Sequence, residues 1–233
     1  MTCSGIDAVG GFDMQSGNYG DWNAYSKYAV GWLQPEVVQG LASGESVELT
    51  IGALAAEGDA IVIPAAGKTF DGPFGEYILI DLFTDSGANE FDVAMCDLSG
   101  VTGVRISHVD ARREKRELTD TENPMNTEVY PIGTIHYPNM YNEKGLYNIE
   151  VIQAGGTNTF TKRPEEGAEP NRTTLRPEDL FQAGDVFTAE SYSEFLTDGR
   201  MDDGSEFGYS VEIVSIGTDA GGHTTATIRI TAK

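Results

Sequence analysis

The apolar run at residues 77–83 places the strongest constraint on how this chain can fold. Its sequence is Tyr-Ile-Leu-Ile-Asp-Leu-Phe, in which Asp81 is the one charged side chain. A strand with one solvated face alternates between apolar and polar residues, whereas a strand packed on both faces is apolar almost throughout. The run therefore predicts a central strand of a sheet that other parts of the chain cover on both sides.

Further strands are predicted between glycine-rich connections. The clearest is at residues 225–231, where Ala226, Ile228 and Ile230 point to one side and threonines and Arg229 to the other. The remaining predicted strands are residues 47–51, 60–63, 104–108, 146–152 and 209–216. Strands at this spacing are typical of an antiparallel sandwich. We therefore predict a mainly β fold of the α+β class, with sandwich-like antiparallel sheets and one helical segment near the N-terminus.

That helical segment is predicted at residues 22–30, after a glycine-rich loop. Apolar residues recur there at a spacing of three to four, at Trp22, Tyr25, Ala29 and Leu33. We expect Asp21 to cap the helix, Gly31 to end it in the left-handed conformation, and Pro35 to prevent its continuation.

Four segments are predicted along the chain. Residues 1–35 hold the glycine-rich loop and the helix, and residues 36–160 form a β-rich domain. Residues 161–178 carry prolines among charged residues, which predicts a linker or a long loop. Residues 179–233 form a C-terminal β segment that we expect to pack on the preceding sheets.

The charge balance argues against several classes of partner. The chain has 37 acidic and 15 basic residues and a formal net charge of −22. Binding to nucleic acid requires a basic face, and docking on anionic lipid requires one too. No apolar run approaches the length of a membrane span, so no membrane insertion is expected. An acidic surface suits an exported protein, a calcium binder or simply a very soluble chain.

The sequence lacks the common catalytic motifs. No phosphate-binding glycine motif, no dinucleotide fingerprint and no G-x-S-x-G elbow is found, and no H-E-x-x-H pair is present. The two cysteines, Cys3 and Cys96, cannot form a four-thiolate zinc site. They would pair as a disulfide in an exported protein or remain free thiols, and the sequence leaves both alternatives open.

His108 is the most informative histidine. It shares one face of its predicted strand with Val104 and Ile106, and Asp110 falls on the same face if the strand continues. A carboxylate beside an imidazole fixes its tautomer and stabilises its charged form. Two interpretations stay open: a buried structural pair, or a pair of residues in the wall of a substrate cleft.

The acidic loop at residues 198–206 carries the ligands that a calcium site would need. Hard oxygen donors cluster there around glycines, at Asp198, Asp202, Asp203 and Glu206. Their spacing does not match an EF-hand. A calcium site and an ordinary acidic turn are therefore the two alternatives.

Several motifs recur in an order that resembles a known family. They are Gly10-Gly11-Phe12-Asp13-Met14, residues 20–27, Gly31-Trp32-Leu33, and residues 76–80, 103–110, 149–154 and 179–185. Together they resemble the region that follows the zinc motif in the immune inhibitor A family of secreted bacterial zinc metallopeptidases. The family's H-E-x-x-H helix should lie just before residue 1.

The resemblance implies a role for the first residues. Gly11, Asp13 and Met14 would form the methionine turn that supports the zinc, and residues 1–35 would be the tail of the catalytic domain. The chain would hold no zinc ligand and no cofactor of its own, and would be inactive alone. Zinc would belong to the complete enzyme, which would be secreted or exposed on the cell surface.

The partners implied are the missing N-terminal catalytic segment and a peptide or protein substrate. Two other interpretations remain open. One is a non-catalytic β-sandwich binding module of a cell-surface protein, stabilised by calcium. The other is a pseudo-peptidase that has lost its zinc site.

Overall fold

The computed structural model describes residues 8–13, 20–95, 98–115, 129–131, 146–161 and 172–233. These residues form a mainly β structure with two short helices, α1 (Ala24–Ala29) and α2 (Glu90–Met95), and several 3-10 turns. Two antiparallel-rich sheets pack face to face, so the predicted fold class is confirmed.

The strands are numbered in chain order. The first sheet has the spatial order β1 (Glu36–Val37), β3 (Ala60–Pro64), β4 (Glu76–Thr84), β5 (Thr102–Asp110) and β8 (Ile149–Ile152). The second has the order β2 (Ser46–Gly52), β11 (Thr224–Ala232), β10 (Tyr209–Thr218) and β9 (Val186–Thr188). A two-stranded sheet joins β6 (Arg113–Lys115) to β7 (Val129–Pro131). The β1–β3 pair is parallel, and all the other pairs named here are antiparallel.

Strand β4 lies in the middle of the first sheet and is buried from Tyr77 to Thr84. This confirms the central strand that its apolar run predicts. On its inner face Ile78, Ile80 and Leu82 pack against the second sheet. The apolar core between the sheets also includes Val104, Ile106, Val211, Ile213, Ile228 and Ile230.

The outer face of the first sheet is covered by the N-terminal region. Tyr77, Leu79 and Phe83 point outward and join a second apolar cluster with Phe12 and Leu33. The rings of Phe12 and Phe83 meet edge to face with centroids 5.2 Å apart. Because the sheet is dry on both faces, its side chains can carry charge only where a partner is buried with them.

Helix α1 is capped by Asn23 and not by Asp21. The Asn23 side chain accepts a hydrogen bond from the backbone N–H of Ser26 at 2.7 Å. The side chain of an N-cap residue accepts a hydrogen bond from a backbone N–H two or three positions later, inside the first turn. Three positions after Asp21 is Ala24, the first residue of the helix, so Asp21 lies too early in the chain to be the cap. Asp21 instead pairs with Lys27 at 2.6 Å. Gly31 follows the helix with φ +82°, as expected.

Two further differences concern local structure. The predicted strand at residues 146–152 is shorter and begins at Ile149. Helix α2 was not expected, and it packs Val93 into the outer apolar cluster. The described end of the proline-containing stretch is tied to the N-terminal region, because Leu175 N–H donates to the carbonyl of Gly10 at 2.8 Å.

Candidate functional site

A buried polar cluster lies at the end of the first sheet where β4 begins and β5 ends. His108 occupies the inner face of β5, in line with Val104 and Ile106, and is only 3% exposed. The strand register places it opposite Ile78 on one side and opposite Glu150 on the other. The alternation in the sequence correctly predicts which way His108 points, and the neighbouring strands determine what it meets.

The carboxylate beside His108 belongs to Glu76 rather than to Asp110. His108 Nε2 lies 3.0 Å from Glu76 Oε1. Asp110 is fully buried and is bound by Arg112, whose Nε and Nη2 lie 2.7 and 2.8 Å from its two oxygens. Arg112 also approaches Glu76 Oε2 at 3.3 Å. Glu76 was missed because its position before the apolar run carries no chemical signal of its own.

The acidic loop closes over this cluster. The backbone N–H of Asp203 donates to Glu76 Oε2 at 3.0 Å, and the N–H of Asp202 donates to Glu76 Oε1. These bonds join residues more than 120 positions apart. Among the described residues, Glu76, His108 and Asp202 offer three potential metal-ligand atoms that all lie within 4.8 Å of one another.

Two of the other three predicted calcium ligands have separate partners. Asp203 pairs with Lys68 at 3.1 Å and accepts the N–H of Ser205 at 2.8 Å. Burial raises the pKa of Asp203, but the bonds from Ser205 and Lys68 outweigh it and lower the pKa to about 2. Glu206 pairs with Arg200 at 3.0 Å, where both side chains are exposed. Asp198 has φ +56° in the preceding 3-10 turn.

Glu150 adds a further buried carboxylate opposite His108. Its Oε1 accepts hydrogen bonds from Asn158 Nδ2, at 2.9 Å, and from the hydroxyl of Thr161. Both donors come from the loop after β8. Asn158 also accepts the N–H of Thr161 at 3.0 Å, so the loop holds its own donors in place.

The cluster shifts the titration of its members. Burial raises the pKa of Glu150 and of Asp202, while the charge of His108 opposes the shift in each. Burial lowers the pKa of His108, but the hydrogen bond with Glu76 and the charges of Asp202, Glu76 and Glu150 outweigh it and raise the pKa overall. The surrounding carboxylates therefore favour the charged form of the imidazole.

A cavity of about 270 Å³ adjoins the cluster. Its polar lining includes His108, Glu150, Asn158, Thr161, Glu194 and Asp202. The predicted role of His108 in a cleft wall stays a prediction, because neither a substrate nor a reactive group identifies this cavity. Asp110 is not among its lining residues.

The expected methionine turn is described only in part, because Met14 lies outside the described residues. Gly11 has φ +85° and Asp13 is 2% exposed. Asp13 Oδ1 accepts a hydrogen bond from the Ser26 hydroxyl at 2.7 Å, which ties Asp13 to helix α1. Cys3 and Cys96 also lie outside the described residues.

Comparison with known proteins leaves the chain without a match: no family model, no curated protein and no solved structure is similar to it. Within the described ranges, no helix has both the length and the apolar character to cross a membrane.

Proposed function

We propose that this chain is the C-terminal, non-catalytic part of a secreted zinc metallopeptidase that resembles the immune inhibitor A family. In this proposal a preceding segment carries H-E-x-x-H and binds the zinc. The zinc would polarise the scissile carbonyl and activate a water molecule. The present residues would support that segment and contribute to the surface that meets a peptide or protein substrate.

One observation carries the proposal: the segment that resembles the methionine turn is built into the β structure. Val151 N–H donates to the carbonyl of Ala8 at 2.8 Å, and Phe12 is buried against Phe83. Asp13 is bound to Ser26 of the helix that follows. A turn that supports a metal site has to be held rigidly, and these contacts hold the described residues that precede Met14.

The spacing at Gly10 supports the same conclusion. A Cβ at this position would lie 3.0 Å from Phe160 Cζ and 3.1 Å from the backbone nitrogen of Leu175. The chain there also has φ +63°, which favours glycine. Glycine at position 10 is therefore required for close packing against Phe160 and Leu175, whereas a flexible leader would not need it.

A direct test starts from the gene. The reading frame upstream of the Met1 codon should encode an export signal and H-E-x-x-H. The complete product should hydrolyse a casein or fluorogenic peptide substrate in a chelator-sensitive manner, and the 233-residue chain should not. Chelator-sensitive hydrolysis by the 233-residue chain, or an upstream frame without the motif, would contradict the proposal.

Variants of the complete product would then test the turn. Asp13→Asn weakens the acceptor for the Ser26 hydroxyl and is expected to lower kcat, because the floor of the zinc site loosens. Asp71→Asn, at an exposed position, is the matched control and should leave kcat unchanged. Equal activity of the two variants would show that the turn does not support the site.

If the gene does not encode H-E-x-x-H, the alternative is that the chain is a non-catalytic β-sandwich binding module. In that interpretation the cluster of Glu76, His108 and Asp202 would stabilise the fold and take no part in catalysis. A calcium titration followed by thermal melting would test the calcium-stabilised form of that interpretation, because a ligand that binds only the native state raises Tm.

A further inference from the structure

We propose that Glu76, His108 and Asp202 form a binding site for a divalent transition-metal ion, Zn²⁺ or Mn²⁺, inside the β-sandwich. This site is separate from the zinc of the proposed peptidase, whose ligands would lie outside this chain. It is also different from the calcium loop expected at residues 198–206, because it takes one residue from that loop and two from the first sheet.

The ligand geometry supports a metal. The three ligand atoms lie within 4.8 Å of one another. Bonds of about 2.0–2.2 Å from zinc to nitrogen and oxygen place neighbouring ligand atoms roughly 3 Å apart. His108 Nε2 and Glu76 Oε1 are already 3.0 Å apart. An ion could therefore replace the proton between them with only a small movement of either side chain.

The charge of the cluster also supports a cation. Four carboxylates are gathered there, those of Glu76, Asp110, Glu150 and Asp202, and Asp110 and Glu150 are buried. Arg112 pairs with Asp110 and also with Oε2 of Glu76, whereas His108 contacts Oε1 of the same carboxylate. Buried carboxylates are costly unless they are paired or coordinate a metal. Arg112 and the proton on His108 balance only part of this negative charge, and a divalent ion that replaces this proton adds one positive charge.

The surrounding contacts would orient the ligands. The N–H groups of Asp202 and Asp203 hold the Glu76 carboxylate, and Arg112 contacts its second oxygen. Asn158 and Thr161 hold Glu150 beside His108. Such outer contacts fix the direction of metal ligands in known sites. His108 and Asp202 also line the cavity of about 270 Å³, which provides an entry path and room for water ligands.

The donor set selects the type of ion. Calcium takes six to eight oxygen ligands, whereas here one donor is an imidazole nitrogen and two are carboxylate oxygens. Imidazole favours zinc and other transition metals, and carboxylate is a good ligand for manganese. We therefore expect Zn²⁺ and Mn²⁺ to bind more tightly than Ca²⁺.

The test is calorimetric titration of the chelator-treated chain with Zn²⁺, Mn²⁺ and Ca²⁺ in separate experiments. We expect one Zn²⁺ or Mn²⁺ per chain and a higher Tm in its presence. Asp202→Asn should weaken binding at least tenfold. Asp198→Asn, in the same loop but outside the cluster, should bind as the unmodified chain does.

A second control addresses adventitious zinc at the surface. His223 is exposed and lies 3.7 Å from carboxylate oxygens of Glu57 and Asp219. His223→Gln should leave the affinity unchanged if the ion binds in the cluster. The proposal is overturned by absence of saturable binding, by equal affinities of Asp202→Asn and Asp198→Asn, or by loss of binding in His223→Gln.

The metal ligands can also be identified on the unmodified chain, where no loss of structure in a variant affects the result. The spectrum of Mn²⁺ or Co²⁺ bound to the unmodified chain should show one imidazole nitrogen, and an all-oxygen environment would contradict the site. None of these measurements uses peptidase activity, so this proposal and the proposed function can fail independently.

Discussion

Asp81 and Arg105 form a bidentate ion pair between β4 and β5 on the buried outer face of the first sheet. Arg105 Nε and Nη2 lie 3.1 and 3.0 Å from the two Asp81 oxygens, and the side chains are 2–5% exposed. Asp81 is the charged residue that interrupts the apolar run. Its charge is accommodated in the dry sheet because the register places Arg105 directly opposite.

Removing one member of this pair should destabilise the protein strongly. Arg105→Met leaves a buried carboxylate without its partner, and the expected loss in free energy of unfolding is about 3–5 kcal/mol. Arg229→Met is the control, since Arg229 pairs with Glu48 and Glu212 at the surface and should cost at most about 1 kcal/mol. Urea denaturation measures both, and equal losses would contradict the prediction.

Glu76 should act as the anchor of the acidic loop at residues 198–206. Glu76→Gln removes the charge that holds His108, Arg112 and two backbone N–H groups, so we expect a loss of about 2–4 kcal/mol. Glu48→Gln, on the exposed face of β2, should change stability little. Hydrogen exchange should also speed up at Asp202 and Asp203 in Glu76→Gln, and unchanged exchange there would rule out the anchoring role.

Gly103 should not tolerate a side chain. A Cβ at this position would lie 2.6 Å from Leu180 Cβ and 2.6 Å from Gln182 Nε2. Gly103→Ala therefore forces the segment over β5 outward and should cost about 1–3 kcal/mol. At Gly155 a Cβ would meet nothing within 4 Å, so Gly155→Ala is the matched control. Thermal melting that shows no difference between the two would disprove the close approach.

Tyr77 should make the protein sensitive to alkali. Burial raises the pKa of its phenol, with smaller contributions from Tyr25 and Tyr28. Above pH 10 the unfolded chain loses this proton and the folded chain keeps it. The free energy of unfolding should therefore fall by about 1.4 kcal/mol per pH unit from this group.

The control is Tyr77→Phe, which removes the titrating group along with its hydrogen bond to the carbonyl of Pro73. Between pH 10 and 11 its free energy of unfolding should fall by about 1 kcal/mol less than that of the unmodified protein, because the unfolded phenol is only half ionised at pH 10. Urea denaturation across this range would measure it. Identical slopes for the two proteins would show that Tyr77 does not contribute.

The sequence predicts much of the fold because strand signals are local. The apolar run of β4 and the alternation of β11 each identify a strand and the face of each side chain. The direction of His108 follows from the same alternation. The helix start was placed wrongly because Asp21 and Asn23 are both good caps, and only the position of the first helical N–H groups selects between them.

The partners of His108 could not be found in the same way. Residues two apart on a strand lie about 6.5 Å apart, whereas neighbours on adjacent strands lie about 5 Å apart. Only Glu150 lies directly opposite His108; Glu76 is opposite Asp110 and reaches the imidazole along the diagonal, while Arg112 holds the Asp110 carboxylate. Identifying Glu76 and Glu150 requires the register of three strands.

By itself the sequence determined where most of the longer strands lie, which faces they bury and that the fold is mainly β, because these follow from the short-range periodicity of apolar residues; the short strands β1, β6, β7 and β9 have no such periodicity and were not predicted. Only the tertiary structure decided which charges meet. Glu76 and Asp202 are 126 residues apart in the chain, and their contact depends on how the sheets pack and how the acidic loop closes over them.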